Sequence, residues 1–182
     1  MRTARISLMQ SQGLDSHQQR IKVRELLQDN CEHHLLPSSA CSIQTLAGGA
    51  PRLIDSDFNV SLSHDIGWLS VGTSALPLGI DIQQEDEVCS SFIRRMRTTS
   101  ARTACQAWSV REAISKLRSR GLADAPWNYS LPQMTASSGT FEESYWRSVP
   151  VRDDVFLSMA TYEPMDMLIL EVPSNDVNDL TN

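Results

Sequence analysis

Between Ser16 and about Leu35 the apolar residues Val23, Leu26, Leu27, Cys31 and Leu35 recur at the spacing of one helix face. Asp15 or Ser16 is placed to cap this helix and Pro37 to stop it. From Ser38 to Pro51, small residues and the Gly48-Gly49 pair predict a loop around a short strand near Ile43 to Leu46. The period then shifts to two. Phe58, Val60 and Leu62 alternate with Asn59, Ser61 and Ser63, which predicts a half-buried strand, and Ile66 to Gly72 can return as its hairpin partner across a turn holding His64 and Asp65. After Pro77, the run Gly79 to Gln83 reads as a buried strand. Glu87 to Met96 predicts a short helix and Ser100 to Arg118 a longer one that Gly121 ends. Beyond Pro126 come short strand-like pieces, Asn128 to Leu131, Tyr145 to Val149, Val155 to Tyr162 and Met167 to Val172. Helix then strands, twice over, predicts an α+β fold, although no repeat is visible in the residues themselves.

With 182 residues the chain can bury one core or two small halves that share one. Its 41% apolar and 21% charged content is that of a globular protein, not a disordered one. No run approaches the ~20 apolar residues of a membrane span, and Met1 to Gln10 lacks the apolar stretch of an export signal. A cytoplasmic protein without membrane contact is expected, with Cys31, Cys41, Cys89 and Cys105 as reduced thiols. Cys31, His33, His34 and Cys41 lie close along the chain, but their spacing fits no common structural zinc site. A net charge of −6 argues against a nucleic-acid partner. The charge is uneven, however: between Arg94 and Arg120, eight of the sixteen basic residues accompany a single acid, Glu112. Such a surface suits an anionic partner, and a solvated helix face explains it equally well.

Two stretches carry the chemistry. Gly79-Ile80-Asp81-Ile82-Gln83 places one carboxylate in an apolar strand, where an unpaired charge is costly unless a cation satisfies it. Trp108 to Lys116 is a helix on which Glu112 and Lys116, four residues apart, share a face. Mg²⁺ takes one or two protein carboxylates and leaves its other positions to water and phosphate. Asp81 and Glu112 are therefore candidate Mg²⁺ ligands, and Lys116 is a candidate to bind or protonate the phosphate. A strand-end turn cap for Asp81 and an ordinary helical ion pair for Glu112 and Lys116 are the simpler alternatives. Ser63-His64-Asp65 is no hydrolase triad, because adjacent residues cannot fold back onto one another.

These stretches, taken with Phe58-Asn59-Val60-Ser61-Leu62-Ser63-His64-Asp65, resemble the 4'-phosphopantetheinyl transferases of the larger, two-half, surfactin-synthetase-activating type. The family's signatures are an Asn/Ser-rich strand ending in Ser-His, a Gly-Ile-Asp strand and a Trp-x-x-Lys-Glu-Ala-x-x-x-Lys helix. All three occur here in that order, over Pro51 to Lys116. Two positions depart from the pattern. Gln83 stands where many relatives carry an acid, with Glu85 on the same strand face as a substitute if the strand extends that far. Arg111 stands where the family has lysine.

The resemblance implies two similar α/β halves in a pseudo-two-fold arrangement, residues 1–78 and 79–172, followed by a polar tail at 173–182. It implies Mg²⁺-dependent transfer of the phosphopantetheine arm of coenzyme A to a serine of an apo acyl or peptidyl carrier protein by a monomer. Asp81, Glu112 and Gln83 would hold the metal, with Glu112 and Lys116 catalytic. Ser63, His64 and Arg52 would bind coenzyme A, and Arg20, Lys22 and Arg24 are further basic candidates. A relative that binds coenzyme A or carrier protein without transfer is the alternative, and an unrelated α+β interaction domain is a third reading.

Overall fold

The N-terminal residues alternate Ala4, Ile6 and Leu8 with Arg5, Ser7 and Met9, and this period of two builds β1 (Thr3–Gln10). The segment has no counterpart among the expected elements, yet it is an inner strand of the first sheet. The computed structural model describes residues 2–47, 49–85, 90–131 and 136–173. Gly48, Cys89, the start of the helix expected from Glu87 and the tail beyond Pro173 lie outside these.

Helix α1 (Ser16–His33) follows β1, capped as its sequence predicts. The Asp15 carboxylate accepts from the backbone N–H groups of His17 and Gln18, both at 2.8 Å, and the Gln18 side chain accepts from the Asp15 N–H. The helix ends before Leu35, which adopts φ +56° and is 91% exposed. Helical periodicity placed Leu35 on the core face, but the left-handed turn carries it out to water. The short strands β2 (Ile43–Thr45) and β3 (Pro51–Leu53) form a separate ribbon. A hairpin of β4 (Asn59–Asp65) and β5 (Trp68–Ser74) comes next, closed by Ile66-Gly67, with Gly67 at φ +75°, where a side chain is strained. His64 is therefore a strand residue opposite Leu69 rather than part of the turn.

The second half of the chain runs through β6 (Leu78–Gln84), α2 (Ser90–Met96), α3 (Ala101–Leu117), β7 (Ser138–Phe141), β8 (Ser144–Arg152), β9 (Val155–Thr161) and β10 (Asp166–Glu171). Residues 128–131, expected as strand-like, instead begin with the last residue of a 3₁₀ turn at Pro126–Asn128 and form no strand. One sheet has the order β10-β1-β5-β4 and the other β6-β9-β8-β7, and every pairing is antiparallel except β1 with β10. Helix and strand take 33% and 37%, so the fold is α+β. The run β1-α1-β4-β5 and the run β6-α3-β8-β9 each consist of a strand, a helix and a hairpin whose last strand returns beside the first. The strand at Asp166–Glu171, grouped with the second half by sequence, belongs to the first sheet beside β1, where Met167 and Ile169 join the core.

Each sheet is covered on both faces. Ala4, Ile6 and Leu8 of β1 meet Ile80, Ile82 and Leu157 between the sheets. Leu26, Leu27 and Cys31 of α1 pack on Leu69 and Val71 of the first sheet, while Ala107, Val110 and Ile114 of α3 pack with Trp146 and Ala160 of the second. This is why β5 and β9 are buried along their whole length and read as continuous apolar or small runs. α3 lies so close to β6 that a Cβ at Gly79 would collide with the backbone of Ala113 and Leu117.

Candidate active site

The seam between β4 and β6 sets the site. Only one edge of β6 is paired in its sheet, with β9. On the other edge, the N–H groups of Ile80, Ile82 and Gln84 donate to Ser61 Oγ (3.0 Å), Ser63 Oγ (3.2 Å) and Asp65 Oδ2 (2.6 Å). Alternate side chains of β4 thus do what a neighbouring strand's carbonyls would do, so these polar residues are buried or half-buried. The alternation read from sequence is correct, but its polar face meets β6 instead of water.

On β6, Ile80 and Ile82 face the inter-sheet core, and Asp81 and Gln83 face α3. Asp81 is 1% exposed and accepts three hydrogen bonds: from Lys116 Nζ at 2.7 Å, from Ser63 Oγ at 2.7 Å and from Gln83 Nε2 at 3.1 Å. Burial pushes its carboxyl above the usual range, and these three donors pull it back. Glu112, one helical turn before Lys116, is pushed up to about 7 by burial and by the neighbouring Asp81 charge. Lys116 and a hydrogen bond from Trp108 oppose that shift, and Asp65 adds to it. The simple helical pairing of Glu112 with Lys116 is not what forms, because Lys116 reaches across to Asp81. Asp81 and Glu112 therefore lie beside one ammonium, and the charge of Asp65 is felt at Glu112 as well. An excess of negative charge in a half-buried place fits a cation. Among the described residues, no three His, Cys, Asp or Glu side chains converge as a ready ligand set; Mg²⁺ itself needs only one or two protein carboxylates.

Beside this cluster opens a cleft of about 670 Å³, whose walls include Arg52 on β3, Phe58 just before β4, Ser61 and His64 along β4, Pro77, and Lys116 at the end of α3. Arg52 and His64 are both exposed to it. Of the three side chains that donate to Asp81, Lys116 alone lines the cleft. Ser63 does not reach the cleft, since its hydroxyl is occupied by Asp81 and the Ile82 N–H. Ser63, expected to contact coenzyme A, engages its hydroxyl with Asp81 and the backbone of β6. Gln83 turns its amide N–H toward Asp81 rather than offering an oxygen there. β6 ends at Gln84, and the Glu85 N–H bonds the Asp154 carbonyl at 2.6 Å, one step beyond the Gln84–Val155 pair of the β6–β9 register.

Arg111, standing where the family has lysine, is buried on the far side of α3 and bonds the Tyr129 carbonyl and Met96 Sδ. Arg20, Lys22 and Arg24 lie on α1 away from the cleft, with Lys22 paired to Glu25. The basic run also disperses: Arg118 pairs with Glu142 and Asp124, Arg120 with Asp124, and Arg102 lies over the Phe156 ring. Sequence reasoning assigns no role to Asp65. The available signal was its place two residues after Ser63 in the same alternation.

No protein-family model matches this chain, and neither does any curated protein. Among the described residues, no helix is long and apolar enough to cross a membrane.

Proposed function

We propose that this chain transfers the 4'-phosphopantetheine arm of coenzyme A to a serine of an apo acyl or peptidyl carrier protein, with Mg²⁺, as a cytoplasmic monomer. The observation that carries the reading is the meeting of Asp81, Glu112 and Lys116, from a strand and a helix about thirty residues apart, at the edge of a cleft lined by Arg52 and His64. The recurrence of one strand-helix-hairpin order in both sheets supports the two-half architecture that the resemblance implies.

Asp81 and Glu112 would hold Mg²⁺, which supplies charge neutralisation at the pyrophosphate of bound coenzyme A. The cleft accepts the anionic nucleotide end, where the Arg52 guanidinium and the His64 imidazole donate to phosphate. The serine oxygen of the carrier forms a bond to the phosphorus bearing pantetheine, and the bond from that phosphorus to the bridging oxygen breaks, releasing 3',5'-ADP. Glu112 takes the serine proton directly or through water. Lys116, beside Asp81 and on the cleft wall, would stabilise the leaving phosphate.

Incubation with coenzyme A, Mg²⁺ and an apo carrier protein, followed by weighing of the carrier, tests the reading. A gain of one phosphopantetheine is expected, and Asp81→Ala should abolish it while the protein stays folded. A second reading, binding without transfer, is favoured by one observation: Gln83 presents a donor where many relatives have an acid. Coenzyme A binding with no gain in carrier mass would select it.

A further inference from the structure

Cys31 and Cys41 are ten residues apart in sequence and adjacent in space. Cys31, near the end of α1, is fully buried in the core under the first sheet, and Cys41 packs against the same cluster from the end of a 3₁₀ turn at Ser38–Cys41. The chain reverses tightly between them. Leu35 takes the left-handed conformation, the Leu36 N–H bonds the Cys31 carbonyl at 2.9 Å, and the Ala40 N–H bonds the Pro37 carbonyl at 2.8 Å. The Cys41 thiol donates to the Pro37 carbonyl at 3.4 Å, and its side chain packs against the cluster that contains Cys31. Both thiols are free, and Cys41 is half-exposed.

We propose that Cys31 and Cys41 form a reversible dithiol–disulfide site that exchanges with small-molecule disulfides of the glutathione class. The inference stands apart from the transfer reading and survives its failure. The order of events follows from exposure. The Cys41 thiolate attacks one sulfur of the incoming disulfide, forms a mixed disulfide and releases one small thiol. Cys31 then gives up its proton and attacks Cys41 Sγ, which forms the internal bond and releases the second small thiol. Two protein thiols are oxidised, one external disulfide is reduced to two thiols, and the two protein protons end on those thiols. Burial, together with the adjacent Cys41, pushes the Cys31 thiol up to about 12, so the second step is slow at neutral pH and quickens in alkali. The 3₁₀ turn leads two residues later into β2, whose Ile43 and Thr45 line the cleft. The bond therefore ties one wall of the cleft to α1.

The chain itself supplies a clean assay. No Lys or Arg lies between Arg24 and Arg52, so a tryptic fragment spanning residues 25–52 holds both cysteines and no other. After native full-length protein is incubated with oxidised glutathione at mildly alkaline pH, this fragment should lose the mass of two hydrogens and resist alkylation. Cleavage after Glu32 should leave its two pieces linked until a reductant is added. The Tm of the oxidised protein should rise, because a short loop is closed in the unfolded chain, and Cys41→Ser should show neither effect. A fragment that alkylates at both positions, a link that forms only in urea, or a link that leaves Tm unchanged or lower would overturn the proposal.

Discussion

Replacing Glu112 by Gln removes a carboxyl that folding pushes from 4.5 up to about 7, chiefly through burial and the Asp81 charge. Between those values the native protein keeps the proton that the unfolded chain has released. Stability therefore falls as pH rises through this window, and the full penalty is present above about pH 7. At about 1.4 kcal/mol per pH unit the ceiling is about 3 kcal/mol, and partial contact with water trims it to about 2 kcal/mol. Glu112→Gln carries no such penalty. In urea unfolding from pH 5 to pH 8, the variant should gain about 2 kcal/mol relative to the native protein across that range. Taking the difference cancels His34, which burial and its neighbour His33 hold below the usual imidazole range, and whose contribution is lost as pH falls. Adding Mg²⁺ with coenzyme A at pH 8 should stabilise the native protein more than the variant, because a bound cation relieves the same repulsion. Parallel stability curves for the two proteins would refute the charge argument, and with it the physical case for a cation between Asp81 and Glu112.

Three further outcomes follow from contacts at the same seam. Ser63→Ala strips one donor from Asp81 and the partner from the Ile82 N–H, so it should cost about 2 kcal/mol in urea unfolding; a neutral result would mean water replaces the hydroxyl without loss. Lys116→Met leaves Asp81 buried beside Glu112 without its cation and should cost about 3 kcal/mol, most of it recovered when Asp81→Asn is added; additive losses in that double-mutant cycle would deny the coupling. Gly79→Ala forces a methyl into the backbone of α3 and should lower stability by at least about 3 kcal/mol by thermal unfolding, a loss that an unstrained glycine would not show.

Much of the architecture is readable because it is local. Helix α1 is announced by its apolar spacing and by the cap candidates Asp15 and Ser16, of which Asp15 caps it with Gln18 completing the box. The β4–β5 hairpin, β6 and α3 are likewise expected close to where they form. β1 shows the limit: its alternation is plain, but a short terminal segment gains its meaning from β5 and β10, which lie far along the chain. Leu35 shows another limit, since apolar spacing cannot reveal that the backbone turns left-handed first.

At the site, residue types and spacing alone single out Asp81, Glu112 and Lys116, since a lone carboxylate in an apolar strand and a charged pair on one helix face call for partners. Which partner each finds is decided by packing. Gly79 and the small residues of α3 let the helix settle onto β6, which brings Lys116 to Asp81 instead of Glu112. The side chains of β4 close the free edge of β6, which turns Ser63 inward and adds Asp65 to the charge cluster. Local pattern determines what each segment forms and which side chains bear charge. Contacts between distant segments determine whose charge meets whose, because hydrogen bonds and ion pairs depend on distances that only the folded chain sets.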